Sequence, residues 1–95
     1  MFIIQLRFSD NKSRAKDFME GHKEWLQAGF DKGVFMVSGS LQPNAGGGII
    51  AANVSKEEIE GIIAEDPFVI ENVVKPEIIE LTPSKADERL SFLLD

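Results

Sequence analysis

A chain of 95 residues is the size of one small domain, so separate catalytic and regulatory halves are not expected. Hydrophobic residues at 43% and charged residues at 27% exclude a disordered segment, and a formal charge of −6 without any basic cluster makes nucleic acid and anionic membrane poor partners. The absence of cysteine excludes disulfides, thiolate zinc ligands and a cysteine nucleophile, and a single histidine leaves no His-rich metal site.

The opening Met1 to Phe8 alternates Phe2, Ile4, Leu6 and Phe8 on one face, the pattern of a strand. It has no basic n-region and its apolar run is too short for a signal peptide. No later stretch reaches the ~20 apolar residues of a spanning helix, so a soluble, cytoplasmic domain is expected. From Ser13 to about Asp31 the period changes. Ala15, Phe18, Met19, His22, Trp25, Leu26 and Gly29 recur at helical spacing and form one core-facing stripe. Gly33 is a plausible left-handed stop.

Val34 to Leu41 and Gly48 to Val54 read as strands joined by a hairpin through Gln42 to Gly46. Ser55 with Glu58 forms a capping box, and the helix it opens carries Ile59, Ile62 and Ile63 on one face. Pro67 breaks that helix after Asp66 and starts a further turn over Phe68 to Glu71. Val73 to Thr82 is a fourth strand; Pro76 lacks a ladder donor and needs a sheet edge or a bulge. A short helix, capped by Ser84, is expected to run to Leu94.

The order β-α-β-β-α-β predicts an α+β, ferredoxin-like antiparallel sheet over residues 1–82 with helices on one face, plus a C-terminal helical extension over 83–95. Helices on one face leave the other uncovered. Strands two and three nevertheless carry apolar or small residues on both faces, among them Phe35, Met36, Val37, Ile49 and Ile50. Such a surface should bury itself against a copy of itself, so a homodimer or higher homo-oligomer is expected. The C-terminal helix would complete that contact or cover a pocket mouth.

His22 sits mid-stripe, where an unpartnered imidazole is costly. It reads either as a general acid/base at a pocket rim or as a core histidine bonded to a carbonyl. Asp66 continues the inward face of Ile59, Ile62 and Ile63. A carboxylate there would orient the imidazole, or would simply cap the turn begun by Pro67; the two roles are compatible. Ser38-Gly39-Ser40 places two hydroxyls on one strand face and a glycine on the other. This could admit a substrate to the backbone or mark a twisted strand end. Gly46-Gly47-Gly48 feeds a strand rather than a helix, so it reads as a hairpin and not as a phosphate loop. Trp25, one turn from His22, reads as core or as a pocket wall.

Taken together, the strand Met1 to Phe8, His22-Lys23-Glu24-Trp25-Leu26, Gly33-Val34-Phe35, Ser38-Gly39-Ser40-Leu41, the glycine run before Ile49-Ile50, and Ala64-Glu65-Asp66-Pro67-Phe68 resemble the YciI-like proteins. That family belongs to the dimeric α/β-barrel group with ferredoxin-like subunits. The resemblance runs from residue 1 to about residue 82 and does not explain Ser84 to Asp95. It implies that His22 and Asp66 form a His–Asp catalytic dyad in a cleft. It also implies that Ser38, Gly39 and Ser40 occupy the position of a Ser-Gly-Pro motif whose proline is lost here. Relatives with this subunit include lactone isomerases and a dehydrochlorinase of a chlorinated hydroxyquinol. The resemblance therefore implies proton transfer on a small cyclic or aromatic substrate, with neither metal nor organic cofactor. Catalytic roles are expected of His22 and Asp66, and substrate contacts of Ser38, Gly39, Ser40 and Trp25. The alternative is a non-enzymatic dimer that binds or senses a small molecule.

Overall fold

Alternation of large apolar residues makes Phe2–Phe8 the first strand, β1, with Phe2, Ile4 and Leu6 buried on one side. The computed structural model describes residues 1–94; Asp95, the end of the expected extension, lies outside them. A 3₁₀ turn at Lys12–Arg14 leads into α1, Ala15–Asp31. Gly33 then takes φ 74°, a left-handed value that glycine adopts without steric cost, and β2 follows at Phe35–Leu41.

Strand β3 spans Gly46–Ala51, so it begins earlier than Gly48 and ends earlier than Val54. The glycines belong to the ladder: Gly46 and Gly47 pair with Leu41 and Ser40 of β2, and with Arg7 and Leu6 of β1. Ladder pairing needs only backbone groups, which the sequence pattern of side chains does not register. At Gly46, φ is 130° and a Cβ would overlap the Leu6 carbonyl oxygen, so no other residue fits.

Helix α2, Lys56–Ala64, starts from the expected capping box. The Glu58 N–H donates to Ser55 Oγ and the Ser55 N–H to Glu58 Oε1, each at 3.1 Å. The Ser55 backbone N–H, and after it the Ser55 side chain, hold the Glu58 carboxyl below the ordinary carboxylate range. A carboxyl depressed in the folded state adds stability above its unfolded pKa and loses it as pH falls through the folded value. Wild type is therefore expected to lose stability more steeply than Glu58→Gln on acidification below about pH 4.5. Equal slopes in denaturant titrations would refute that contribution.

Helix α3, Pro67–Ile70, begins at the proline itself, and β4 is Val74–Glu80. The sheet order is β2-β3-β1-β4 with every neighbouring pair antiparallel, the ferredoxin-like arrangement. Pro76 lies on edge strand β4 opposite Leu6, where a missing donor is tolerated. Phe2, Ile4, Leu6, Phe35, Ile49 and Ala51 of the sheet pack with Ile59 and Ile63 of α2 and Phe68 of α3. Phe18, Trp25, Leu26 and Phe30 of α1 close over the same core.

Register assigns the two sheet faces. Leu6, Ser38, Ser40, Gly47 and Ile49 point toward the helices; Ile3, Val37, Gly39, Leu41, Ile50 and Ile79 point away. Val37 is 55% exposed and Ile79 38%.

The expected C-terminal helix does not start at Ser84. The chain instead makes a 3₁₀ segment, Glu88–Leu94, with a non-helical residue at Leu90 (φ −115°, ψ 19°). Its start is held by Asp87, whose Oδ1 accepts the Arg89 N–H at 2.9 Å, and not by Ser84. Leu90, Phe92 and Leu94 remain about half exposed, so no apolar face is buried, and so short a helix is marginal without packing. The segment shares a hollow with Met1 and Leu81, and it covers no part of the cleft beside His22.

Candidate active site

Helical spacing on α1 turns Met19, His22 and Leu26 toward the sheet over the β2–β3 hairpin. Nearby, α1 approaches α3 closely: a Cβ on Gly21 would lie 3.2 Å from Pro67 Cγ. This approach brings the chain segments holding His22 and Asp66 together.

Asp66 has extended backbone geometry (φ −63°, ψ 123°) as the N-cap of α3, and its Oδ1 accepts the Phe68 N–H at 3.0 Å. The same Oδ1 lies 2.8 Å from His22 Nδ1. Both readings of Asp66 thus hold at once: it caps the turn and it engages the imidazole. The carboxylate is fully buried, and its Oδ2 has no hydrogen-bond partner among the described residues.

An ionised carboxylate can only accept, so Nδ1 carries the hydrogen. In the neutral ring the lone pair is then on Nε2. The His22 side chain keeps 16% of its surface exposed, which lets solvent and small molecules reach it. Its ring stacks on Phe68 at 4.1 Å and 6°, and lies 5.6 Å from Trp25. Such packing fixes the imidazole plane.

Two adjoining hollows of about 200 and 210 Å³ open beneath α1, and His22, Leu6, Gly39 and Gly47 line both. Ser38 lines the first with Leu26 and Ile49; Ser40 lines the second with Phe8, Met19, Phe68 and Val74. The cleft therefore gathers His22, Ser38, Gly39 and Ser40, while Asp66 stands sealed behind the imidazole. Trp25 lines neither hollow. Its indole N–H donates to the Ile62 carbonyl at 2.8 Å and its ring meets Phe35 edge-on, so it braces α1 against α2 and β2. A larger groove of about 480 Å³, lined by Lys32, Glu58, Glu65 and others, is more open and contains neither His22 nor the serines. Of the three, only the two smaller hollows adjoin the paired imidazole.

Met19, Phe68 and the glycine run are cleft components that the sequence pattern left in the core or in a hairpin. The signal for Gly47 was present: glycine in a strand interior weakens the strand unless something approaches it closely. Among the described residues, no three His, Cys, Asp or Glu side chains cluster as a metal site would require.

The chain is thus of the α+β, ferredoxin-like class, with a histidine–aspartate pair beside two small hollows. No protein-family model and no curated protein matches the chain. Among solved structures, its fold is similar to 5-chloro-2-hydroxyhydroquinone dehydrochlorinase (TftG) from Burkholderia phenoliruptrix AC1100, in a complex with 2,5-dihydroxybenzoquinone. The TM-score is 0.68 at 16% identity, over 85% of this chain and 93% of that one, which establishes the shared fold.

Proposed function

We propose that this chain is a YciI-like homodimeric enzyme that moves a proton on a small cyclic or aromatic compound, by elimination or proton shift. The observation that carries this reading is the 2.8 Å contact between His22 Nδ1 and Asp66 Oδ1 at the wall of a reachable cleft. Asp66 holds the ring so that Nε2 presents its lone pair, and balances the charge once the ring is protonated. Nε2 takes a proton from an acidic C–H or O–H, and the electron pair enters the substrate ring. That pair becomes a new π bond as a leaving group departs with the electrons of its own bond to carbon, or the imidazolium returns the proton at another carbon. Ser38 and the backbone around Gly39 bind a polar substrate atom. The fold shared with a dehydrochlorinase supports this class of chemistry by analogy.

The test is hydrogen exchange. Hydroxyquinols and unsaturated lactones incubated with the protein in D₂O should gain ring deuterium or release their leaving group; His22→Asn should do neither. The sealed position of Asp66 and its second duty as a cap favour one rival: a cleft propped open by the pair for binding alone. Binding without exchange across the whole panel would select that rival.

The dimer forms in this reading through the uncovered sheet face. Ile3, Leu41 and Ile50 flank Val37 there, and Val37→Asp would place a charge in the middle of the contact. Light scattering at micromolar concentration should show a dimer for wild type and a monomer for Val37→Asp. A monomeric wild type would refute this assembly.

A further inference from the structure

The sheet face turned away from the helices is ordered in rows that cross all four strands. One row is apolar throughout: Val37, Ile50, Ile3 and Ile79, from β2 through β3 and β1 to β4. The next row along the strands reads Gly39, Gly48, Gln5 and Glu77, and the third reads Leu41, Gly46, Arg7 and Lys75. In these two rows the β2–β3 half is bare or aliphatic, and the β1–β4 half holds every long polar side chain. Over Gly39 and Gly48 lies a dent of about 250 Å³, walled by Ile3, Val37, Leu41 and Ile50. A Cβ on Gly39 would meet nothing within 4 Å, and its φ is not positive, so nothing inside this subunit requires glycine there.

A symmetric pair of sheets packs face to face about a twofold axis lying in the plane between them. An axis across the strands lays each strand on its own copy. Centred on the second row, it sets Glu77 against the partner's Glu77 and the basic third row on the apolar first. Centred on the first row, it sets Val37 on the partner's Val37 and Glu77 on the partner's Leu81. An axis along the strands lays β2 on the partner's β4 and β3 on its β1. Val37 then meets the partner's Ile79, and Ile50 the partner's Ile3. In the same arrangement Gly39 faces the partner's Glu77, Gly48 its Gln5 and Gly46 its Arg7. Only this choice puts apolar on apolar, avoids like charges and sets long side chains over glycines. Packed sheets stand about 10 Å apart, a gap that a glutamine or glutamate opposite a glycine fills. Glu77 belongs to edge strand β4, so its carboxylate reaches the wet rim of such a contact.

We infer that a second copy of this chain seats on this face with the twofold axis along the strands, its Gln5 and Glu77 filling the dent over Gly39 and Gly48. The inference rests on the homodimer reading and names the register of that contact. Ser38, Gly39, Gly48 and Ile49 line both the dent and a hollow beside His22, so the partner's two side chains back the floor of the cleft.

Opposite charges read the register. Val37→Asp and Ile79→Lys should each leave monomers. Mixed in equal amounts, they should form a heterodimer in native mass spectrometry, because the two substituted positions face one another. Val37→Asp mixed with Val37→Lys carries the same charges without the facing. That mixture should associate at least about tenfold more weakly, the lower end for a close charge pair. Equal affinity in the two mixtures, or a preference for the second, overturns the inference. Gly39→Leu should raise the dimer Kd at least about fivefold by overfilling the dent. Should that variant not fold, Gln5→Trp enlarges the occupant instead and should weaken the dimer to the same extent. A folded variant that dimerises as tightly as wild type overturns the inference. A wild type that never dimerises defeats the homodimer reading itself, whereas a dimer without the register preference defeats the inference alone.

Discussion

Replacing His22 with asparagine is expected to lower kcat/KM by about 10²–10⁴-fold on any substrate turned over, the usual range for a single general acid/base. Asparagine approximates the imidazole's size but carries no group that can accept and return a proton near neutral pH. Asp66→Asn should forfeit most of the same factor for a different reason. With the amide oxygen in the Oδ1 position, accepting from both the Phe68 N–H and His22 Nδ1, the ring keeps its tautomer but loses the negative charge that balances the imidazolium. Steady-state kinetics on the hydroxyquinol and lactone panel measure both. Activity undiminished in either variant would remove the pair from the mechanism, because the 2.8 Å contact would then serve structure alone.

Asp66→Ala is expected to destabilise the fold by about 2–6 kcal/mol, at about 1–3 kcal/mol for each buried donor left without its acceptor. A single oxygen, Oδ1, serves both the His22 imidazole and the Phe68 N–H, so truncation strands two donors at once. The drop in Tm should be at least about 8 °C for a domain of this size. Asp66→Asn keeps a carbonyl able to accept the Phe68 N–H, so its cost should be well under half as large. Thermal unfolding followed by circular dichroism separates the two variants. A change below about 1 kcal/mol in Asp66→Ala would show that this carboxylate does not hold α3 in place.

Much of this architecture was legible one segment at a time. The alternation of Phe2, Ile4 and Leu6, the stripe through Phe18, His22 and Trp25, and the Ser55–Glu58 box each involve residues a few positions apart. Pro76 announced an edge strand through its missing N–H. The C-terminal helix is shorter than its apolar residues Ala86, Leu90, Leu93 and Leu94 suggest, and winds as 3₁₀, because Leu90 and Leu94 remain about half exposed with little to pack against. Trp25 presents a similar case. Its one-turn distance from His22 suggested a cleft wall, while its indole N–H is committed to Ile62, a residue far along the chain.

The sequence by itself determined the element order, the helix face that carries His22, and the turn at Asp66-Pro67. Those depend on backbone preference and side-chain period, which act over one or two turns of chain. Only the tertiary structure decided that Nδ1 and Oδ1 meet across 44 positions, and that Gly47 lines the cleft beside His22 instead of merely shaping a hairpin. A cavity is what two distant segments fail to fill together, so neither segment encodes it alone.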